Sequence, residues 1–214
     1  MRRILVTAFI ATVALGSSPG VAAQDATAAE AQPSVDAVWV ERELLLTYMA
    51  FTSFYSCRGL RDKVVWVLEE LGARPGFTVT TRGCVEVTGP EVLPSVRIVA
   101  ALPVQATPEV LAELASGASK RELASRATGQ AVPEAEATAR FPATPRRVEF
   151  TSRPTGPLED GDCELMEQLR DQVMVPLGAR IIEDRVRCVP RQVTLGAVRL
   201  TVEVLQPVPE QGAQ

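Results

Sequence analysis

Histidine is absent from the 214 residues of the chain, and lysine occurs only at Lys63 and Lys120. Without histidine, neither a Ser-His-Asp triad nor a Cys-His pair can form, which excludes those two kinds of nucleophilic catalysis. A serine–lysine pair is formally possible, but neither lysine lies in an SxxK arrangement. The glycines form no phosphate-binding pattern. The sequence therefore assigns no catalytic residue and predicts no cofactor.

The four cysteines include no CxxC pair, and no histidine is present to complete a zinc site. A metal or redox role is the alternative interpretation of these cysteines, and both absences argue against it. Disulfides are the usual state of paired cysteines in exported proteins. We therefore expect disulfides and no metal.

Residues 1–23 have the pattern of a secretory signal peptide. Arg2 and Arg3 form the basic start, and residues 4–15 form the apolar run. Residues 21–23 have the small side chains that precede a cleavage site. The apolar run is too short for a stable membrane anchor. We expect cleavage after Ala23, a periplasmic or secreted protein, and no membrane span in the mature chain.

The charge balance of the mature chain is acidic. The chain has 22 basic and 26 acidic residues, so removal of Arg2 and Arg3 leaves a net charge of −6. This balance argues against nucleic acid and against an anionic membrane as a partner.

Two stretches of the chain show the same order of features. Each begins with a cysteine, continues with an amphipathic helix that ends in Leu-Gly-Ala-Arg, and closes with a strand-like run ending in a second cysteine. The cysteines are Cys57 and Cys84 in the first stretch, and Cys163 and Cys188 in the second, at separations of 27 and 25 residues. We interpret the pattern as an internal duplication. The alternative is the general similarity of any two α/β segments.

The duplication selects one disulfide pattern. Four cysteines allow three pairings, and equivalent units favour Cys57–Cys84 with Cys163–Cys188. Each disulfide should stabilise the fold by ~3 kcal/mol in the chain-entropy model.

Each unit is predicted to be β-α-β-β, in a protein of the α+β class. The predicted strands are 38–49, 77–87 and 95–105 in the first unit, and 147–152, 181–189 and 197–205 in the second. The order 1-3-2 would place the apolar third strand centrally and the polar second strand at an edge, with a right-handed crossover. We expect the two pseudo-symmetric units to form one antiparallel six-stranded sheet with two helices on one face. Two separate small domains are the alternative, which the size of each unit disfavours.

The chain is predicted to divide into six parts. They are a signal peptide (1–23), a flexible tether (24–37), the first unit (38–105), a connecting helix and linker (106–145), the second unit (146–206) and a loose tail (207–214). The connecting helix should open at Thr107, followed by proline at the first helical position, and break at Gly117.

The ends of the two helices within the units are marked by N-cap residues, a glycine and a proline. Ser56 and Asp162 are the predicted N-caps. Gly72 should end the first helix in a left-handed conformation. Pro176 should deform the last turn of the second.

Carboxylates cluster in two places and are candidates for acid–base chemistry. Glu69 and Glu70 lie on a predicted helix and are expected to be solvated. Glu159, Asp160 and Asp162 could bind calcium weakly, but they lack the ligand spacing of a calcium loop. Helix capping by Asp162 explains that group better.

Aromatic residues are few, and seven of the ten lie in the first unit. The simplest interpretation places them in the core of that unit. The alternative concerns Phe51, Phe54 and Tyr55, which lie in the connection between the first strand and the first helix. Aromatic side chains on a loop can form a contact patch for a protein or a glycan.

Three runs in the chain, Tyr55-Ser56-Cys57, Leu71-Gly72-Ala73-Arg74 and Asp160-Gly161-Asp162-Cys163-Glu164-Leu165, resemble small exported proteins of Gram-negative bacteria whose function is not assigned. The resemblance covers most of the mature chain. It implies export and paired cysteines, and it supplies no catalytic residue and no ligand.

These observations favour a disulfide-stapled, non-enzymatic binding or structural protein of the cell envelope, with an envelope protein or glycan as its partner. The alternative is a hydrolase-type enzyme that uses carboxylates or a serine in a groove between the two units. Enzymatic activity is thus left open by the sequence.

Overall fold

The computed structural model describes residues 33–49, 51–84, 90, 93–128, 139–153, 156–193, 195–196 and 198–209. The strands are β1 (Val35–Thr47), β2 (Thr78–Arg82), β3 (Ser95–Gln105), β4 (Phe141–Thr151), β5 (Arg180–Asp184) and β6 (Arg199–Pro207). The helices are α1 (Cys57–Glu70), α2 (Pro108–Thr128) and α3 (Cys163–Leu169). The predicted signal peptide lies outside the described residues.

The six strands form one antiparallel sheet in the order β2-β3-β1-β4-β6-β5. This confirms the predicted six-stranded sheet and the α+β class. In each half, the third strand lies between the first and the second, and the short second strand forms an edge. The pseudo-symmetry of the two units stays a prediction.

The two halves of the sheet are joined by a short ladder between β1 and β4. It has only three residue pairs, from Val35–Ala143 to Ala37–Phe141, whereas β1 pairs with β3 along its length from Ala37 to Thr47. Backbone hydrogen bonds therefore contribute little to the association of the halves, and side-chain packing must supply the rest.

One apolar core is shared by both halves. Helices α1 and α3 pack on the same face of the sheet, as expected, and their buried side chains belong to one cluster with those of β1, β3, β4 and β6. The edge of the Trp66 ring of α1 packs on Phe150 of β4, with ring centroids 5.6 Å apart. Arg146 of β4 donates a hydrogen bond to the carbonyl of Glu70. The described residues thus form one unit, not two separate domains.

Helix α1 follows from its sequence pattern. Its apolar stripe includes Leu60, Val64 and Leu68, which are fully buried, and each such side chain contributes about 2 kcal/mol on burial. The Ser56 hydroxyl caps the helix by accepting a hydrogen bond from the Gly59 N–H at 3.0 Å. Gly72 follows the helix with a φ of 75°, a conformation that side chains with a Cβ rarely adopt. Both predicted helix ends are confirmed.

Helix α3 differs from α1 at both ends. Asp162 occupies the N-cap position but makes no capping hydrogen bond to the helix, so its predicted capping role is wrong. The helix continues as one wider π turn, Arg170–Met174, just before Pro176. The Val175 N–H bonds to the carbonyl of Arg170, five residues earlier. This is the kind of deformation that the proline was expected to cause.

Two strands begin earlier than their local sequence indicates. β1 begins at Val35, within the predicted tether, and β4 begins at Phe141, within the predicted linker. The additional residues of the two strands pair with each other, which is a long-range contact that local composition does not reveal. Because β1 pairs with β4 only as far as Ala143, Pro145 can lie in β4 without removing a ladder hydrogen bond to β1.

The connecting helix α2 is continuous. Thr107 accepts a hydrogen bond from the Val110 N–H at 3.4 Å, as expected for its cap. The predicted break at Gly117 does not occur, because one glycine weakens a helix without ending it. None of the helices that the structure describes is long and apolar enough to cross a membrane.

Two disulfides join Cys57 to Cys84 and Cys163 to Cys188, which is the predicted pairing. Each one ties the start of a helix to the chain beyond an edge strand. In the first pair, Cys57 is buried beside the α1 stripe.

Replacing either cysteine pair with serines should lower the free energy of unfolding by ~3 kcal/mol. The double variants Cys57→Ser/Cys84→Ser and Cys163→Ser/Cys188→Ser are matched controls for each other, because the loops they open span 27 and 25 residues. Urea titration of oxidised protein measures the loss. Peptide mapping without reduction should recover both pairs, and a Cys57–Cys163 or Cys57–Cys188 link would contradict the fold.

Candidate functional site

The aromatic loop (residues 51–55) connects β1 to α1 and presents two rings to solvent. Phe51 and Phe54 are 63% and 58% exposed. The expectation that these rings fill the core is therefore wrong for both. Tyr55 differs, because it packs against the core and its ring lies 5.0 Å from that of Tyr48. The structure thus separates the three predicted patch residues into two exposed rings and one inner ring.

The backbone of the aromatic loop is held by Glu164 of α3. One carboxylate oxygen of Glu164 accepts hydrogen bonds from the N–H groups of Phe51 and Thr52, at 2.9 and 3.0 Å. The other oxygen accepts the Thr52 hydroxyl at 3.1 Å. The Gln168 amide, one turn later on the helix, exchanges two hydrogen bonds with the backbone of Met49. A buried carboxylate of the second half therefore fixes a loop of the first.

Asp162 forms a second buried link between the halves. Its carboxylate accepts hydrogen bonds from the Tyr55 hydroxyl, from the Lys63 ammonium at 2.6 Å and from the Glu159 N–H at 2.7 Å. Lys63 also donates to the carbonyl of Pro157 at 2.7 Å. A buried charge is tolerated only when it is paired and hydrogen-bonded, and these partners meet that requirement.

Burial raises the pKa values of both tyrosines near this link. For Tyr48 and Tyr55, desolvation is the main cause, and the negative charge of nearby carboxylates adds to it. Both phenols are therefore neutral at physiological pH. They act as hydrogen-bond donors: Tyr55 donates to Asp162, and Tyr48 donates to the carbonyl of Ser53 at 2.9 Å.

A second loop lies beside the aromatic loop. Residues 189–193 turn back on themselves through a bridge between Val189 and Gln192, and Arg191 has a φ of 65°. The Arg191 N–H donates to the Thr52 hydroxyl at 2.9 Å. The Thr52 hydroxyl thus bonds to Glu164 and to this turn at once, and it links three segments.

The next residues return to the same region. The Gly196 N–H donates to Asp160 at 2.8 Å. Gly161 is so close to the aromatic loop that a Cβ atom there would lie 2.7 Å from the Ser53 hydroxyl oxygen. This contact favours glycine at position 161. Because Gly196 bonds to Asp160 and the next residue, Gly161, contacts Ser53, the 195–196 segment lies near the aromatic loop.

We define the apolar patch by the exposed side chains of these neighbouring loops. They are Met49, Phe51, Phe54, Val189, Val193 and Leu195, with exposed fractions from 45% to 83%. Sequence reasoning assigned only Phe51 and Phe54 of these six to a patch. Met49 and Val189 were interpreted as the last residues of predicted strands, and Val193 and Leu195 as part of the connection between two strands. No local signal shows that the fold brings this connection to Thr52.

Two of the carboxylates that the hydrolase alternative could use already have protein partners. Asp160 accepts hydrogen bonds from the Ser152 hydroxyl and the Gly196 N–H, and Asp162 is held as described above. Two concavities lie on the outer face of the sheet, one around Glu149 and Arg199 and one beside Arg74. Neither is lined by these aspartates. Among the described residues, no group of three metal-ligating side chains is close enough to hold an ion.

Replacing Glu164 with alanine should lower the free energy of unfolding by about 3 kcal/mol, because three hydrogen bonds to a charged acceptor are lost. The amides of Phe51 and Thr52 should exchange with solvent faster. Urea titration and amide hydrogen exchange measure the two effects. Glu69→Ala, at an exposed position on α1, should change stability by less than about 0.5 kcal/mol. Unchanged exchange at Phe51 and Thr52 would contradict the assigned role of Glu164.

Stability should be nearly independent of pH between pH 8 and about pH 9 and then fall as the pH rises through about 10. An unfolded tyrosine loses its proton near pH 10, whereas Tyr48 and Tyr55, whose pKa values are raised in the fold, keep theirs. The folded state then binds more protons, so alkali favours unfolding. The chain has only these two tyrosines. Tyr48→Phe should therefore reduce the alkaline slope of the unfolding free energy, measured by urea titration, by about half. An unchanged slope would contradict the assignment.

Comparisons of the chain with protein-family models, with curated proteins and with solved structures found no match. The functional conclusion therefore rests on the geometry of the apolar patch and on the chemistry of its surroundings.

Proposed function

We propose that the protein is an exported, disulfide-stabilised binding protein of the cell envelope, and that the apolar patch is its contact surface. The observation that carries this proposal is the exposure of Phe51 and Phe54 on a loop whose backbone is fixed by Glu164. Neighbouring large apolar side chains on a protein surface mark interaction sites more often than isolated ones do.

The rigidity of the aromatic loop supports a binding role. Its amides are bonded to Glu164, and Tyr55 anchors its end to Asp162. A loop that is already ordered loses little conformational entropy when a partner binds, so more of the contact energy is left for affinity. Aromatic side chains give large contact areas at a low entropic cost, which suits Phe51 and Phe54 to this role.

Export is supported by two independent features. Two disulfides are present, and disulfides persist mainly in oxidising compartments such as the periplasm. The first 23 residues have the order of charges and apolar residues that export requires. The resemblance to small exported proteins of Gram-negative bacteria agrees with both. A periplasmic or secreted location follows from this proposal.

The alternative of a hydrolase has weaker support. Its carboxylates would have to activate water or attack a substrate, but Asp160 accepts hydrogen bonds from Ser152 and Gly196. Asp162 accepts hydrogen bonds from Tyr55 and Lys63 of the first half. Using them in catalysis would disturb those contacts. A non-enzymatic contact surface requires no such rearrangement.

Phe51→Ser/Phe54→Ser should leave stability nearly unchanged, within about 1 kcal/mol, because exposed side chains contribute little to folding. The same variant should lose most of its binding to washed envelopes of a Gram-negative bacterium, measured by co-sedimentation of the oxidised protein. The matched control is Val175→Ser, which removes an apolar side chain that is 49% exposed outside the patch. It should bind like the wild type.

Two results would reject the proposal. If the wild-type protein stays in the supernatant, it does not bind the envelope, and the proposed contact does not exist. A large fall in the melting temperature of Phe54→Ser would mean that the ring belongs to the core, where its truncation costs ~3–5 kcal/mol.

A further inference from the structure

Three exposed arginines accompany the apolar patch. Arg191 lies between Val189 and Val193, Arg187 lies two residues before Val189, and Arg58 lies in the first turn of α1, four residues after Phe54. Within the part of the chain that the structure describes, none of these guanidinium groups is paired with a carboxylate. The patch therefore combines apolar side chains with unneutralised positive charge.

Two carboxylates of α3 and of its N-cap, which bond to the aromatic loop, are buried. Glu164 and Asp162 are 8% and 3% exposed, and they bond to the loop amides and to Lys63. Asp160 bonds to the Ser152 hydroxyl. Asp162 and Glu164 are thus used inside the fold, whereas Arg58, Arg187 and Arg191 are exposed.

The exposed apolar side chains of the patch are carried by loops and turns. Phe51 and Phe54 are on the aromatic loop, and Leu195, the most exposed large apolar residue described, is in the segment that follows the second loop. Side chains on loops of this kind can insert into a yielding medium such as the interface of a bilayer.

A lipid bilayer surface meets these conditions. Its interface accommodates aromatic and aliphatic side chains at the depth of the headgroups, and its phosphates bind arginine. We propose that the apolar patch, together with Arg58, Arg187 and Arg191, docks the protein on an anionic lipid bilayer. This inference rests on the proposed function, in which the patch is the contact surface, and it names the partner.

The net charge of the mature chain opposes this partner only when charge is averaged over the whole molecule. Salt screens charges over about 10 Å at ordinary ionic strength. A bilayer in contact with the patch therefore interacts mainly with the arginines there. The expectation from the sequence that a net charge of −6 argues against an anionic membrane does not hold for such local contact.

The test uses the oxidised full chain and protein-free vesicles of two compositions, phosphatidylcholine alone and phosphatidylcholine with an equal amount of phosphatidylglycerol. Flotation measures the partition coefficient. The wild type should partition at least about tenfold more strongly onto the anionic vesicles, and added salt should reduce this preference. Phe51→Ser/Phe54→Ser should lower partition about tenfold on the anionic vesicles.

The arginines are tested separately. Arg187→Gln/Arg191→Gln should lower partition onto anionic vesicles about 25-fold and remove most of the salt dependence, because each basic residue near the surface contributes about fivefold. The matched control is Arg147→Gln, which removes an exposed arginine from the outer face of β4. Together with Val175→Ser, it should partition like the wild type.

Absence of wild-type partition onto anionic vesicles would overturn the lipid proposal, and so would partition that Phe51→Ser/Phe54→Ser leaves unchanged. Envelope membranes treated with protease distinguish this failure from that of the proposed function. Patch-dependent binding to intact envelopes that protease abolishes, without vesicle binding, would leave the proposed function standing and make the partner a protein. Loss of binding to both envelopes and vesicles would reject both proposals.

Discussion

Two buried carboxylates, Asp162 and Glu164, constrain how the halves of the molecule meet. The β1–β4 ladder joins the halves through only three residue pairs, so side chains must define the rest of the junction. A carboxylate that is kept buried needs hydrogen-bond donors. Asp162 finds them in Tyr55 and Lys63, and Glu164 finds them in the amides of the aromatic loop. Any arrangement that kept these charges buried but moved the loop would remove the three donors of Glu164 and one donor of Asp162.

The exposure of the two phenylalanines is a consequence of the same hydrogen bonds. Glu164 binds the Phe51 amide, and Asp162 binds the Tyr55 side chain, so the backbone on both sides of Phe54 is fixed. With Tyr55 directed inward, the neighbouring Phe54 ring is left outside. A polar network that stabilises the fold therefore also determines which rings face solvent. The exposed rings need no rearrangement before contact, which lowers the entropic cost of binding.

The parts of the structure that follow from local rules could be predicted from the sequence. Helix α1 has its cap and its terminal glycine where Ser56 and Gly72 indicated, and the cysteine spacing gave both disulfides. Long-range features could not be predicted. The early starts of β1 and β4 depend on the pairing of these two strands. The role of Asp162 depends on donors about a hundred residues earlier in the chain, whereas its local sequence favours a helix cap.

The same separation of local and long-range effects applies to charge. Net charge is a property of the whole composition, whereas the field at a contact surface depends on which charged groups the fold directs outward. Here, Asp162 and Glu164 are turned inward because the junction needs acceptors for Tyr55 and for the loop amides. A carboxylate that is buried at the junction adds no negative charge to the surface, whereas Arg191 is exposed beside the apolar patch. The net charge of an acidic protein therefore does not determine which charges a particular surface presents.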